Sequence, residues 1–428
     1  MAAATGQNAL VSAGRSVRSS KLLRITLAMT LVALAACTAV GETPAGTDVP
    51  ATGTHTTPTL STVATTTIVT TTTLPPVPEV PAAPKPDPLP PPPGQVPPAG
   101  VGGVAVIAAG GADLWDDRSG SPFVTAHEGL VMAVEDREGD WFLLRTMCDT
   151  RAWAEAPQLE FTSAVEPVSV GQGTSFSEAV VVLDPGHGGA NHGAQGPTGL
   201  REEVVNLDIA RRARDLLEES HTVDWESGIV YPGSDIRPVG RVWLTRTEGP
   251  PNADYEAGLL FRATLAGSAG ANALIAIHNN AAPDGPFEGP GSEIFYMFKD
   301  PDSRRLGGLL IEEMRRSFTP FDVAWMGDLD AGAKYRLQED GETDYYGILR
   351  RGLVPSVISE GAFISNEPEE ALLATPEFRQ AYAEAVYRAL VRFVTTDDPG
   401  SGFTTPYLRT NDVGSGNARS TCQVPAQP

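Results

Sequence analysis

Four residues in this chain carry the chemistry, and each sits in its own short motif. His187 lies in Val-Leu-Asp-Pro-Gly-His-Gly-Gly (182–189), and Glu202 lies in Gly-Leu-Arg-Glu-Glu-Val-Val-Asn-Leu (199–207). His278 lies in Ile-Ala-Ile-His-Asn-Asn-Ala (275–281), and Glu360 in Val-Ile-Ser-Glu-Gly-Ala-Phe-Ile-Ser-Asn (357–366). Two imidazoles and one carboxylate make a three-ligand zinc site with a fourth position open to water. A second carboxylate beside such a site can move a proton as general base. Together these groups could perform metal-assisted hydrolysis of an amide.

Such a set has to be delivered by rigid elements. Val180–Leu183, Val242–Thr245, Ala273–Ile277, Glu293–Met297 and Val354–Ser359 read as strands. Asn206–Glu219, Ser303–Phe318 and Pro376–Val394 read as helices. The last is the best signalled, with Thr375 as N-cap, Pro376 at N1, and Phe378, Tyr382, Val386, Leu390 and Phe393 on one face. Alternating strands and helices predict an α/β layer structure with a mostly parallel sheet flanked by helices. Ligand sites in such sheets lie beyond the carboxyl ends of strands. His187, His278 and Glu360 each follow a strand-like run, which fits that rule.

The four motifs, in this order, resemble the zinc-dependent N-acetylmuramoyl-L-alanine amidases of the Amidase_3 family. The resemblance runs from about Ala179 to about Val394. It implies one zinc ion held by His187, Glu202 and His278, with Glu360 as the catalytic base. The family's liganding Glu stands four positions before the motif Asn, so Asn206 selects Glu202 over Glu203. Glu203 then reads as a solvated carboxylate at a helix start. Asn280 matches the Asn of the family's His-x-Asn, and Ala362 replaces a family Gly after Glu360. His192 and Asn280 are further candidates for substrate contact. Arg246 matches a family Arg and reads chiefly as structural support, with substrate contact as the other role. His221 reads as a surface residue. The implied substrate is peptidoglycan, cut at the amide between N-acetylmuramic acid and L-alanine of the stem peptide during wall remodelling or daughter-cell separation. Two other readings stand beside this one. A non-catalytic wall-binding protein or activator on the same fold is disfavoured by four intact motif residues. A zinc peptidase cutting the stem peptide is disfavoured by the resemblance alone.

The remaining 212 or so residues frame that domain of 179–394 within a chain of 428. Residues 1–37 read as a lipoprotein-type signal: Arg15, Arg18, Lys21 and Arg24, then the apolar Ile25–Ala36, then Leu-Ala-Ala-Cys ending at Cys37. Lipid on Cys37 would anchor the protein to the membrane on its extracytoplasmic side, within a bacterial cell envelope. Residues 38–100 are Thr-rich and then Pro-rich, the composition of an extended spacer that cannot bury a core. Residues 101–165 carry short strand patterns, with Gly139 to Leu144 and Ala152-Trp153-Ala154 resembling the strands of bacterial SH3-like (SH3b) barrels. Such a barrel either binds wall peptides or is purely structural with both tryptophans in its core. Residues 395–428 read as an irregular tail.

With Cys37 lipidated, Cys148 and Cys422 are left to pair as a disulfide or to remain as two thiols. The formal charge of −22 disfavours nucleic acid as a partner. Some relatives carry a helix that plugs the zinc site. The two long stretches here, Val223–Gly240 and Val323–Asp344, show no clean amphipathic pattern, so no plug is expected. A protein activator remains a possible partner.

Overall fold

The computed structural model describes residues 102–247, 257–282, 291–321, 332–408 and 422–427. The expected signal with Cys37, the Thr/Pro-rich stretch of 38–100 and residues 322–331 lie outside the described residues.

The first unit is all-β. Strands β1 (Gly103–Ile107), β4 (Val131–Glu138), β5 (Trp141–Arg145), β6 (Arg151–Glu155) and β7 (Leu159–Ser163) form an antiparallel sheet in the order β6-β5-β4-β1-β7. The short pair β2 (Ala112–Leu114) and β3 (Val124–Ala126) forms a separate hairpin. Trp141 and Trp153 are only partly buried. Trp115 meets Trp141 edge-on at 6.0 Å, and the Arg118 guanidinium lies 4.2 Å above Trp153.

The second unit is built on a six-stranded sheet. Its strands are β8 (Val180–Pro185), β11 (Arg241–Leu244), β12 (Ala273–Asn280), β13 (Glu293–Tyr296), β14 (Gly332–Lys334) and β16 (Ser356–Phe363), in the order β11-β8-β12-β16-β13-β14. All neighbours run parallel except β16 and β13. Helices α1 (Glu202–Glu218), α3 (Pro301–Phe318) and α6 (Pro376–Thr395) cover one face, and α2 (Leu259–Ala269) and α4 (Gly347–Arg350) cover the other. Helix α5 (Glu367–Leu373) follows β16. The short pairs β9 (His221–Val223) with β10 (Val230–Pro232), and β15 (Arg336–Leu337) with β17 (Tyr407–Leu408), lie outside the main sheet.

Strand periodicity explains this layering. Val181, Leu183, Ile275, Ile277 and Val357 point into one core, while Val180, Val182, Leu274, Ala276 and Ile358 point into the other. The second core also contains Val104, Met132, Val134 and Leu144 of the all-β unit, so that unit packs directly on α2 and the sheet.

One helix starts earlier than expected, one helix was not expected, and the cysteine pair left open in the sequence is bonded. Helix α1 starts at Glu202 rather than Asn206, since the amides of Glu202 and Glu203 find acceptors in the preceding loop at Ala194 O and His192 O. Helix α2 carries no amphipathic signal because it is buried on most sides, with Arg262, Thr264 and Ser268 buried among its apolar residues. The described residues 422–427 are tied down: Cys148 and Cys422 form a disulfide with 5.4 Å between their Cα atoms. Beside it, Gln427 N donates to Thr125 O and His127 N to Pro425 O.

Candidate metal centre

His187, Glu202 and His278 arrive from three elements and converge. His187 follows β8 on a tight turn, Glu202 opens α1, and His278 lies near the end of β12. Their donor atoms all lie within 4.8 Å of one another. Glu202 Oε2 is 3.1 Å from His187 Nε2, and Glu202 Oε1 is 3.1 Å from His278 Nδ1. The two rings meet edge to face with centroids 4.8 Å apart. Zinc bonds of about 2.0–2.2 Å in tetrahedral array place ligand atoms roughly 3.3 Å apart, close to the two His–Glu202 distances of 3.1 Å.

The turn that presents His187 is strained and braced. His187 has φ +62°, the left-handed region that side chains rarely enter. Arg262 of α2, almost fully buried, donates to His187 O at 2.8 Å and to Pro185 O at 2.9 Å, and pairs with Asp184. The ring is aimed by Asn191, whose Oδ1 sits 3.1 Å from Nδ1 and leaves Nε2 toward Glu202. Two glycines are required here. A Cβ on Gly186 would lie 2.3 Å from His278 Nε2, and one on Gly193, at φ +68°, would lie 2.4 Å from Glu202 Oε2.

Glu202 is held as an ionised acceptor. Ala194 N donates to Oε2 at 2.9 Å, while Asn279 N and Asn206 Nδ2 donate to Oε1 at 3.1 and 3.2 Å. Burial alone would raise its pKa, but the charges and hydrogen bonds of His187 and His278 outweigh burial and hold it well below the carboxylate range. Burial would likewise lower His187, yet Glu202 overcomes it and the net shift is upward. Burial dominates at His278, which falls below the usual imidazole value despite its bond to Glu202. The loop before α1 is clamped by Glu370 of α5, which accepts from Thr198 N, Thr198 Oγ1 and Leu200 N.

Glu360 stands beside this group. It faces His278 in the β12–β16 register and Glu293 in the β13–β16 register. Its Oε2 is shielded from water and has no hydrogen-bond partner among the described residues. Burial, then the carboxylates of Glu202 and Glu293, push its pKa well above the carboxylate range. Glu293 is neutralised by Lys334 at 2.5 Å and accepts from Asn280 Nδ2 at 2.6 Å.

The other sequence candidates fall in different places. His192 is half exposed and lies 3.1 Å from Glu203. Asn280 is partly buried and engaged by Glu293. Arg246 is 1% exposed and donates to Gly186 O and Glu203 O, the contacts expected of structural support. Glu203 is buried rather than solvated, because it partners Arg201 and His192. His221 is also buried, with its ring packed 5.5 Å from that of Tyr387. Sequence reading missed Asp184, Arg262, Glu293 and Glu370. A lone Arg inside the apolar run Leu-Leu-Phe-Arg-Ala-Thr-Leu was the available signal for Arg262.

Known proteins share this half of the chain. A curated amidase AmiC from Neisseria meningitidis is 28% identical over 263 residues, which cover 56% of this chain and 58% of that protein. The germination-specific amidase of Bacillus subtilis is 27% identical over 224 residues, covering 51% of this chain and 81% of that protein. The solved amidase of Clostridium difficile 630 aligns with a TM-score of 0.39 at 24% identity, over 51% of this chain and 97% of its own. Residues 181–392, the stretch that carries all four motifs, match the family described as N-acetylmuramoyl-L-alanine amidase, and this part of the chain is an Amidase_3 domain.

Proposed function

We propose that the protein is a zinc-dependent N-acetylmuramoyl-L-alanine amidase that cleaves peptidoglycan between the muramic acid lactyl group and L-alanine. The observation that carries this reading is the convergence of His187, Glu202 and His278 with Glu360 in register beside His278. His187 Nε2, His278 Nδ1 and a Glu202 oxygen would hold the zinc. A bound zinc ion would supply Lewis-acid polarisation of the amide carbonyl and a water acidified to a pKa of about 7.

The protein's own groups do the rest. Glu360 is the proton carrier: its carboxylate takes a proton from the attacking water and returns it to the leaving amine nitrogen. Its raised pKa suits that return, and a cation beside it would draw the value down toward the working range. Asn191, Ala194 N and Asn279 N keep the three donors aimed. Half-exposed His192, at the rim of the site, is the residue we assign to substrate contact, with Asn280 nearer the sheet.

The rest of the chain serves delivery. Cys37 carries a lipid anchor in this reading, and residues 38–100 space the enzyme from the membrane on the extracytoplasmic side. Among the described residues no helix is long and apolar enough to cross a membrane. The all-β unit is assigned as an SH3b-like domain.

The test is digestion of purified peptidoglycan with the protein plus zinc, beside Glu360→Ala, read by mass spectrometry. Peptide-free glycan with intact released stem peptides is expected from the wild type alone. Shortened peptides still attached to muramic acid would instead identify a peptidase, and unchanged sacculi a binding protein.

A further inference from the structure

The all-β unit reaches into the catalytic half at one helix end. Gly258 precedes α2 and has no side chain with which to cap it. The free amides of the first turn are instead met by Asp149, from the turn between β5 and β6. Asp149 Oδ1 accepts from Phe261 N at 2.7 Å, across 112 residues of chain, and Oδ2 accepts from Leu260 N at 3.4 Å. Gly258 N donates to Met147 O at 2.7 Å, and a Cβ on Gly258 would lie 2.3 Å from the Asp149 carboxylate. A carboxylate at a helix N-terminus satisfies orphan amides and complements the helix dipole.

The turn that offers Asp149 is itself fixed. Asp149 has φ +60°. Thr146 N donates to Thr150 O, Asp149 N to Thr146 O, and Arg145 Nη1 to Asp149 O at 2.8 Å. The preceding residue, Cys148, is bonded to Cys422.

One residue beyond the capped amide of Phe261 comes Arg262. Its guanidinium grips Asp184, Pro185 O and His187 O, and its Nε donates to Ala257 O at 2.8 Å. Arg262 therefore braces the strained His187 turn from one side, and its own placement depends on where α2 begins. The start of α2 is set from the other unit.

We propose that Asp149 is a positioning residue for the metal centre: by capping α2 it seats Arg262 on the His187 turn, and so tunes metal affinity from outside the Amidase_3 domain. This rests on the zinc reading of His187, Glu202 and His278. The all-β unit is then a part of the catalytic architecture as well as any wall-binding device.

The experiment is a zinc titration of the metal-free full-length protein against a chromophoric chelator, for the wild type, Asp149→Ala and Asp149→Asn. Thermal unfolding of each metal-free form is followed alongside. Asn keeps an acceptor oxygen and caps helices well. Asp149→Ala is expected to weaken zinc binding about 10-fold, the low end for a group that orients metal ligands. Asp149→Asn is expected to restore affinity to within about twofold of the wild type on the same scale. Equal zinc affinity in all three, with only the melting temperature of the Ala form lowered, would overturn the proposal and leave Asp149 a plain structural cap. Should Asp149→Ala not fold, Asp149→Gly replaces it, since glycine removes the carboxylate and suits the φ of +60°, with the same two outcomes. A wild type that binds no zinc would sink the metal reading itself, a result distinct from equal affinities.

Discussion

Glu360 lies directly across from His278 in the parallel register of β12 and β16, and directly across from Glu293 on its other side. Side chains opposed in this way share one face of a sheet. A candidate metal ligand, a candidate base and a charge-neutralised carboxylate thus form a row across three adjacent strands. Such a row tolerates little slippage, because moving one strand by a single residue would turn its member to the opposite face.

That row makes Glu360 costly in the metal-free protein. Its pKa is raised, so the folded state keeps the proton that the unfolded chain loses near the ordinary value of about 4.3. Stability from this group is therefore full below that value and declines as pH rises toward the folded pKa. Glu360→Gln removes the penalty. The melting temperature of metal-free Glu360→Gln should exceed that of the wild type by an amount that grows from about pH 5 to about pH 8. Zinc should narrow the gap by supplying positive charge beside the wild-type carboxylate.

Zinc affinity should fall as pH falls. Glu202 holds the His187 imidazole above its usual pKa, so the metal-free site keeps a proton on it that the metal must displace. Below that pKa, loss of one proton on binding predicts about a tenfold weaker affinity per pH unit. Competition titrations at about pH 6 and about pH 8 should show the weaker binding at the lower value. A pH-independent affinity would contradict the proton on His187.

Asn191→Ala removes the group that aims the His187 ring. Zinc affinity should drop by about 10- to 100-fold, while far-ultraviolet circular dichroism is unchanged. Asn191→Asp, which preserves the acceptor, should recover most of the loss.

A control for the fold alone is available in the ion pairs that join α3 to α6. Glu313 of α3 is fully buried and accepts from Arg388 at 2.7 Å and from Arg392 at 2.7 Å, both on α6. Glu313→Gln leaves two guanidiniums facing one neutral amide. It should lower unfolding stability by about 3 kcal/mol or more, measured by denaturant titration, and leave zinc affinity in the folded protein unaltered.

Much of this molecule was written locally. His187, His278 and Glu360 could be found because each ends a short apolar strand, and the rule placing sites beyond strand ends needs only the order of elements. Helix α6 declared itself through Thr375 and Pro376, and the observed cap, Phe378 N on Thr375 Oγ1, is the one those two residues predict. The unbroken apolar runs Val180–Leu183 and Ala273–Ile277 are of the kind found in strands buried on both faces.

What the sequence could not decide was which distant groups meet. Nothing near Glu203, Arg246 or His221 distinguishes a buried polar side chain from an exposed one. Burial became affordable only where the fold brought Arg201, the Gly186 carbonyl or the Tyr387 ring alongside. Arg262 reaches Asp184 across 78 residues, Glu370 reaches Thr198 across 172, and Asp149 reaches Phe261 across 112. Local propensity sees a window of a few turns, whereas these pairs exist because two apolar cores pack the sheet between helices on one side and the all-β unit on the other. The four candidate site residues belong to the sequence, and the braces that aim them belong to the tertiary structure.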